Sequence, residues 1–330
     1  SVTQGEITIT GRVSESAALK IGTTPVALDV QHRFSHSVTL APGANTFALS
    51  ATDRAGNSAS YTLHVTLQQD STPDPAQVAP PLDPTVATAL AAATEFLYSG
   101  NNPVQKNVAP GTIEPKRVAV LRGKVHIRDN APLGGVKITL LNQPKYGYTE
   151  TRSDGMFDLA VNGGGIVTVQ YEKQGYLPVQ RQVNAPWQDY AWADDVVMIP
   201  VDPQVTAINL ATQTAIEVAQ GSPQTDADGT RQATLLFSPG TQATMTLPDG
   251  STQALTSLHV RATEYTVGDN GPDAMPAPLP PASGYTYAVE LSVDEALAAG
   301  AKTVSFSKPV YTYVENFLNF PTGTIVPAGY

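Results

Sequence analysis

Cysteine is absent from this 330-residue chain, and with it go disulfide staples, thiolate metal sites and a cysteine nucleophile. Stability must come from packing and backbone pairing. Charge is scarce too: Asp, Glu, Lys and Arg make up 15% of the residues, with 29 acidic against 19 basic and a net charge of −10. Nothing basic enough to neutralise phosphates or an anionic membrane surface is left, so no nucleic-acid partner is expected. No run of about 18 apolar residues occurs, and no transmembrane segment is expected. HExxH, GxSxG and Walker patterns are missing, so the chain is read as non-enzymatic, with no cofactor. Histidine is thinly spread: of His32, His36, His64, His126 and His259, only the first two are four apart. A strand would hold those two about 13 Å apart on one face, too far for a zinc pair. Ser1 follows no basic and apolar leader, and the far end is apolar. A segment cut at both ends from a longer, exported bacterial protein is expected.

What is present is material for several cores. The hydrophobic content is 41%, and the length suits two to four domains of about 100 to 150 residues. From Glu6 to Leu67 apolar residues alternate with polar ones: Ile7, Ile9; Val26, Leu28, Val30; Phe47, Leu49; Tyr61, Leu63, Val65. Such period-two runs, broken by turn residues, spell a β-sandwich. The stretch ATDRAGNSA followed by YTLHVT resembles the closing hairpin of bacterial immunoglobulin-like domains. Residues 68–116 are read as a proline-rich linker with one helix. Asp83 would cap that helix and Pro84 would open it, with Val86, Ala89, Leu90, Ala93 and Leu97 on one face for docking and Gly100 as the stop.

From Arg117 onward the strands VAVLRGKVHI and VKITLLN flank the turn APLGG, and SDGMF closes a hairpin on Asp154 and Gly155. Gly123, Val125, Leu133 to Val136, Ser153 to Gly155, Phe157, Tyr171, Gly175 and Tyr176 make this stretch closely similar to the transthyretin-like, or carboxypeptidase regulatory-like, module. The module lacks the zinc site of the peptidases it accompanies, so no catalysis carries over. Residues 202–330 read as a further β-sandwich, with a turn at Pro248 to Ser251 and a short helix begun by a Ser292/Glu295 capping box and closed by Gly300. The expected map is all-β: 1–67 immunoglobulin-like, 68–116 linker, 117–201 transthyretin-like, 202–330 plug-like sandwich.

The blocks RSDGMFDLAVNGGG, YEKQGYLPVQRQVNAPWQDYAW, TDADGTRQATLLF, SGYTYAVELSVDEA and PVYTYVENFLNFPTGTIVPAGY resemble the region before the YD repeats of bacterial RHS-repeat proteins, to which the animal teneurins are related. That resemblance implies a secreted or cell-surface toxin-like protein. Its later YD repeats would form a β-shell around a cargo, and residues 202–330 would stand where a plug seals the shell. The downstream shell of the same polypeptide is the expected partner, with a cell-surface protein or glycan as a further one. The chain stops before any YD repeat.

Five aromatic residues form the candidate interaction surface. Trp187, Tyr190 and Trp192 in APWQDYAWADD could make a sugar-stacking platform beside carboxylates; packing between domains is the favoured alternative, since aromatic rings supply large buried area. Phe317 and Phe320 lie in the densest apolar run, and from Asn316 onward that run is expected at the surface rather than closing the core. Asp53 and Asn57, Asp226 and Asp228, and Asp269, Asn270 and Asp273 offer oxygen ligands, but without a full calcium loop; turn chemistry accounts for each. The triple glycine 163–165 reads as a loop. The function expected is a non-catalytic structural and interaction module; an adhesin or carbohydrate-binding array is the alternative. An enzymatic reading would need carboxylates such as Glu264 and Glu290 to converge.

Overall fold

A computed structural model describes residues 6–40, 43–67, 72–83, 85–276, 286–326 and 329. The described backbone is all-β apart from helical turns of five residues or fewer. It divides into two compact units, the first comprising Ser1–Val125, Pro132–Val169 and Gln182–Asp194, the second His126–Ala131, Gln170–Arg181 and Asp195–Tyr330.

The first unit opens with six strands: β1 Glu6–Arg12, β2 Ala17–Ile21, β3 Thr24–Val26, β4 Arg33–Thr39, β5 Gly43–Asp53 and β6 Ser58–Leu67. β1 pairs with β4, and the others form a sheet in the order β3-β2-β5-β6. Alternation along each strand turns Ile9, Leu19, Ile21, Val26 and Phe34 into one small core, because successive side chains point to opposite faces. The turn between β5 and β6 is closed by Asp53, whose carboxylate accepts the Asn57 N–H at 2.9 Å, and by Gly56 at φ +92°. His32 lies in a turn at φ 58° and only His36 lies in a strand, so the two do not share a sheet face.

The linker holds more helix than expected in one place and less in another. A helical turn, α1, spans Pro75–Val78, with Asp74 accepting from the Ala76 N–H at 3.0 Å. The longer helix does not start at Asp83: that carboxylate is taken by Thr85, at 2.9 Å from its N–H and 2.6 Å from its hydroxyl. Pro84 lies outside the described residues. Helix α2 covers only Leu90–Thr94, followed by a 3-10 turn through Leu97. Val86 is exposed while Leu97 is buried, so only the end of the expected stripe docks. A short helix needs such a packed face to persist.

β7 Val118–His126, β8 Lys137–Leu140, β9 Thr149–Glu150, β10 Met156–Asn162, β11 Gly165–Glu172, β12 Val179–Ala185 and β13 Asp189–Trp192 follow. β10 lies antiparallel and β13 parallel to β7, and a second sheet, to which this unit contributes parts of β11 and β12, runs β12-β11-β8-β9. One face of β7 and β10 carries Leu121, Gly123, Phe157 and Leu159 into the core. The opposite face is covered at one end, where Leu97 and Val104 pack on Val120. There buried Gln105 accepts the Ala160 N–H at 2.7 Å and donates to the carbonyls of Tyr146 at 2.7 Å and Ala160 at 3.0 Å. A strand buried on both faces reads as a continuous apolar run, hence the sequence VAVL. The SDG turn works as its composition demands: Gly155 sits at φ +80°, where a Cβ would come within 2.4 Å of the Val125 carbonyl oxygen, and Asp154 accepts the Met156 N–H at 2.8 Å.

The second unit carries β14 Val196–Val197, β15 Thr206–Asn209, β16 Glu217–Gln220, β17 Gln224–Asp226, β18 Gly229–Arg231, β19 Thr234–Phe237, β20 Ala243–Thr246, β21 Thr252–Leu255, β22 Ser257–Glu264, β23 Val289–Val293, α3 Asp294–Ala298, β24 Thr303–Phe306 and β25 Tyr311–Tyr313. Its sheets are β15-β22-β23, β16-β19-β25 and β21-β20-β24, with β17 and β18 as a separate hairpin. Ile208, Leu235, Phe237, Met245, Leu258 and Val260 form the main core. Leu177, Val197 and Ile199 join Tyr265, Ala274 and Met275 in a smaller one. The expected capping box does not form. Ser292 stays in β23, its hydroxyl buried without a partner, and Glu295 instead accepts the His259 N–H at 3.0 Å and pairs with its ring at 2.6 Å. Gly300, at φ +61°, does end the helix.

Candidate interaction surfaces

The first candidate surface lies on β13. Trp187 is 63% exposed, Tyr190 46% and Trp192 58%, so none of the three is taken into the core of the unit that carries it. Trp187 precedes the strand in a turn with Gln188 at φ 48°, and its indole rests on the glycine loop: a Cβ at Gly164 would lie 2.0 Å from the indole nitrogen. The triple glycine thus serves as a seat for this ring. Tyr190 and Trp192, two apart on a strand, project to one side.

A residue that belongs to no sequence motif completes this surface. Arg122 of β7 stands opposite Trp192 in the register, and its guanidinium lies 5.0 Å from the centre of the Tyr190 ring, within cation–π range. It is held from below by Asp158, which is 2% exposed and accepts from Arg122 Nε at 2.5 Å and from Arg152 Nη1 at 2.9 Å. In the sequence, Arg122 looks like one polar residue in an alternating strand; only the pairing of β13 with β7 brings it to the aromatic rings.

The second candidate surface is the C-terminal run. β25 pairs with β19 as the edge of its sheet. On the outer face, Val218, Leu236 and Tyr311 form one row and Gln220, Thr234 and Tyr313 the next. Ile216, Val218, Tyr311 and Tyr313 are all exposed, a contiguous apolar face of the kind associated with contact sites. Beyond it Phe317 and Phe320 part company. Phe317 is half-buried, stacked 4.6 Å from the guanidinium of Arg231 and edge-on to Tyr287 at 6.3 Å. Phe320 is 37% exposed, in a loop where Asn316 accepts its N–H at 2.9 Å and donates to its carbonyl at 2.8 Å.

Arg231 explains why the run follows this course. It is 1% exposed and donates to Glu264 at 2.7 and 2.8 Å and to Asp226 at 2.5 Å. The Arg231 hydrogen bond holds the Asp226 carboxyl far below the usual carboxylate range. Because the folded-state value is lowered, its stabilisation is present above the ordinary carboxylate pKa and is lost only as pH falls through the folded one. Glu315 accepts the Gln232 N–H at 2.6 Å and fixes the chain just before Phe317.

Several of the other oxygen-bearing positions are engaged in hydrogen bonds of their own. Asn57 donates its side-chain amide to Asp53 at 2.7 Å, and Asn270 donates to the Arg128 carbonyl at 2.7 Å. Among the described residues, no three His, Asp or Glu side chains are grouped to hold a metal ion. Glu264 and Glu290 do not converge: Thr263 is opposite Glu290 and Glu264 opposite Val289, which puts the two carboxylates on opposite faces of the sheet. Burial pushes the Glu290 carboxyl up, with the Tyr265 hydroxyl 3.4 Å away.

Comparison with known proteins bears on the middle of the chain. Residues 113–198 match the family model described as the Teneurin TTR-like domain. Teneurin-3 of Danio rerio is 32% identical over 115 residues, 35% of this chain and 4% of that protein. Teneurin-m of Drosophila melanogaster is 43% identical over 90 residues, 26% of this chain and 3% of that protein. The aligned stretches span only a few per cent of the length of these relatives. The chain therefore carries a teneurin-like transthyretin-type domain. A solved structure, the Bacillus anthracis TIE protein, aligns with 87% of this chain and 65% of its own at a TM-score of 0.20 and 9% identity, a likeness too slight to carry an argument.

Proposed function

We propose that this chain is a non-catalytic structural and interaction segment of a large secreted or cell-surface bacterial protein of the RHS, YD-repeat kind. In this reading the transthyretin-like module occupies 117–201, and the sandwich of 202–330 carries or plugs the shell that the later part of the same polypeptide builds. The match of residues 113–198 to the Teneurin TTR-like domain carries the proposal. The outer face of β16, β19 and β25 supports it, because exposed apolar side chains at the end of a sandwich suit a permanent neighbour better than water. Toxin cargo belongs to the same proposal and to no residue of this chain.

Limited proteolysis of this chain and of the full-length secreted polypeptide tests it. Cleavage between Tyr311 and Val326 is expected in the chain alone and is expected to be suppressed in the longer protein. Equal cleavage in both would remove the shell from the list of partners.

A further inference from the structure

We propose that Arg122, Tyr190 and Trp192 form a binding site for acidic sugars, in which an aromatic ring stacks on the pyranose face and Arg122 takes the carboxylate. The proposal is independent of the shell reading, since it concerns the other unit.

Three observations carry it. The guanidinium of Arg122 is fixed in place with its far edge open: Nε is engaged by buried Asp158 at 2.5 Å and one face by the Tyr190 ring, while Nη1 and Nη2 make no hydrogen bond among the described residues and the side chain is 43% exposed. A guanidinium with its far edge free is a rigid two-pronged donor, matched to the two oxygens of a planar carboxylate. Arg152 also holds Asp158 and lies 3.7 Å from the Asp154 carboxylate, so Asp158 is shared between two guanidinium groups rather than spent on Arg122 alone. Secondly, Tyr190 and Trp192 project beside that donor on one side of β13, 46% and 58% exposed, where flat apolar rings next to polar groups suit an amphipathic ligand. Thirdly, the open edge of β13 is poorly suited to an added peptide strand, because the Tyr190 N–H is already taken by the Asp189 carboxylate at 2.8 Å. Asp189 and Asp194 flank Tyr190 and Trp192 along the chain and weaken any general attraction for anions, so recognition rests on the directed fork of Arg122.

The test uses the full chain and its intrinsic fluorescence, which is specific to this stretch because the chain has two tryptophans, Trp187 and Trp192. The probes are a glucuronic acid-containing tetrasaccharide, the same sugar with its carboxylates reduced to alcohols, and a short peptide with a free C-terminal carboxylate. Saturable binding of the acidic sugar is expected, with the reduced sugar and the peptide each weaker by tenfold or more. Arg122→Lys keeps a cation for Asp158 but loses the fork, and should abolish discrimination between the two sugars. Trp192→Ala, an exposed position, should remove binding with an unchanged far-UV spectrum. The proposal is overturned if both sugars bind equally, if neither binds, if the peptide binds as well as the acidic sugar, or if Arg122→Lys still discriminates.

Discussion

The N-terminal sandwich and the transthyretin-like module use the same small device at different depths. In each, a glycine faces a phenylalanine across an antiparallel pair: Gly11 opposite Phe34, and Gly123 opposite Phe157. In each, the ring folds over the glycine, so that a Cβ there would come within 2.6 Å of the ring at Gly11 and 2.7 Å at Gly123. Yet Phe157 is fully buried while Phe34 keeps 9% exposure and lines an open groove of about 820 Å³. What differs is how fully each core is closed. The module buries Leu121, Val125, Ile138, Leu159 and Val169 completely along with its ring, and its sheet carries a further layer, Leu97 to Gln105, on the opposite face; the N-terminal sandwich leaves its ring beside the open groove. Local pairing sets the device; the core around it sets how tightly it is enclosed.

The largest expected effect comes from removing the rings. Phe157→Ala should cost about 3–5 kcal/mol, and Phe34→Ala at least about 1 kcal/mol less, because a site next to an open groove can collapse. Urea unfolding of the full chain checks this, and equal costs would break the comparison. Gln105→Ala tests the added layer itself. It leaves the buried N–H of Ala160 without its partner, so a loss of about 1–3 kcal/mol is expected, together with faster hydrogen exchange at Val120 and Ala160 and none at β2 or β5. Adding a methyl group separates the two glycines. Gly123→Ala also meets Ala193 at 3.2 Å and should cost about 1–3 kcal/mol through overpacking. Gly11→Ala should be neutral or slightly stabilising, since Phe34 can swing into the groove and alanine suits a strand better than glycine. The smallest effect should be alike in both regions: Asp53→Ala and Asp154→Ala each remove one turn acceptor, and thermal melting should show small, similar losses.

The contrast also bears on what the sequence makes legible. Alternation, the Asp154–Gly155 hairpin and the Pro248–Ser251 turn, where Asp249 accepts the Ser251 N–H at 2.9 Å, depend on neighbours along the chain and could be read from it. The α2 boundary could not, because it depends on where the helix finds a surface: Leu97 does and Val86 does not. The Ser292 box failed for a similar reason, since His259, 36 positions from Glu295, competes for that carboxylate. At the candidate sites the aromatic residues stood out by composition. Arg122 and Arg231 did not, because their roles follow from partners 68 and 33 positions away in the pairs Arg122–Tyr190 and Arg231–Glu264.

The central functional claim is that this segment serves as a fixed support for a larger assembly. A cryo-electron microscopy structure of the full-length polypeptide tests it most directly. The account predicts that Val218, Leu236, Tyr311 and Tyr313 are covered there by residues that follow Tyr330; an outer face still open to solvent, or a polypeptide that ends at Tyr330, would contradict it.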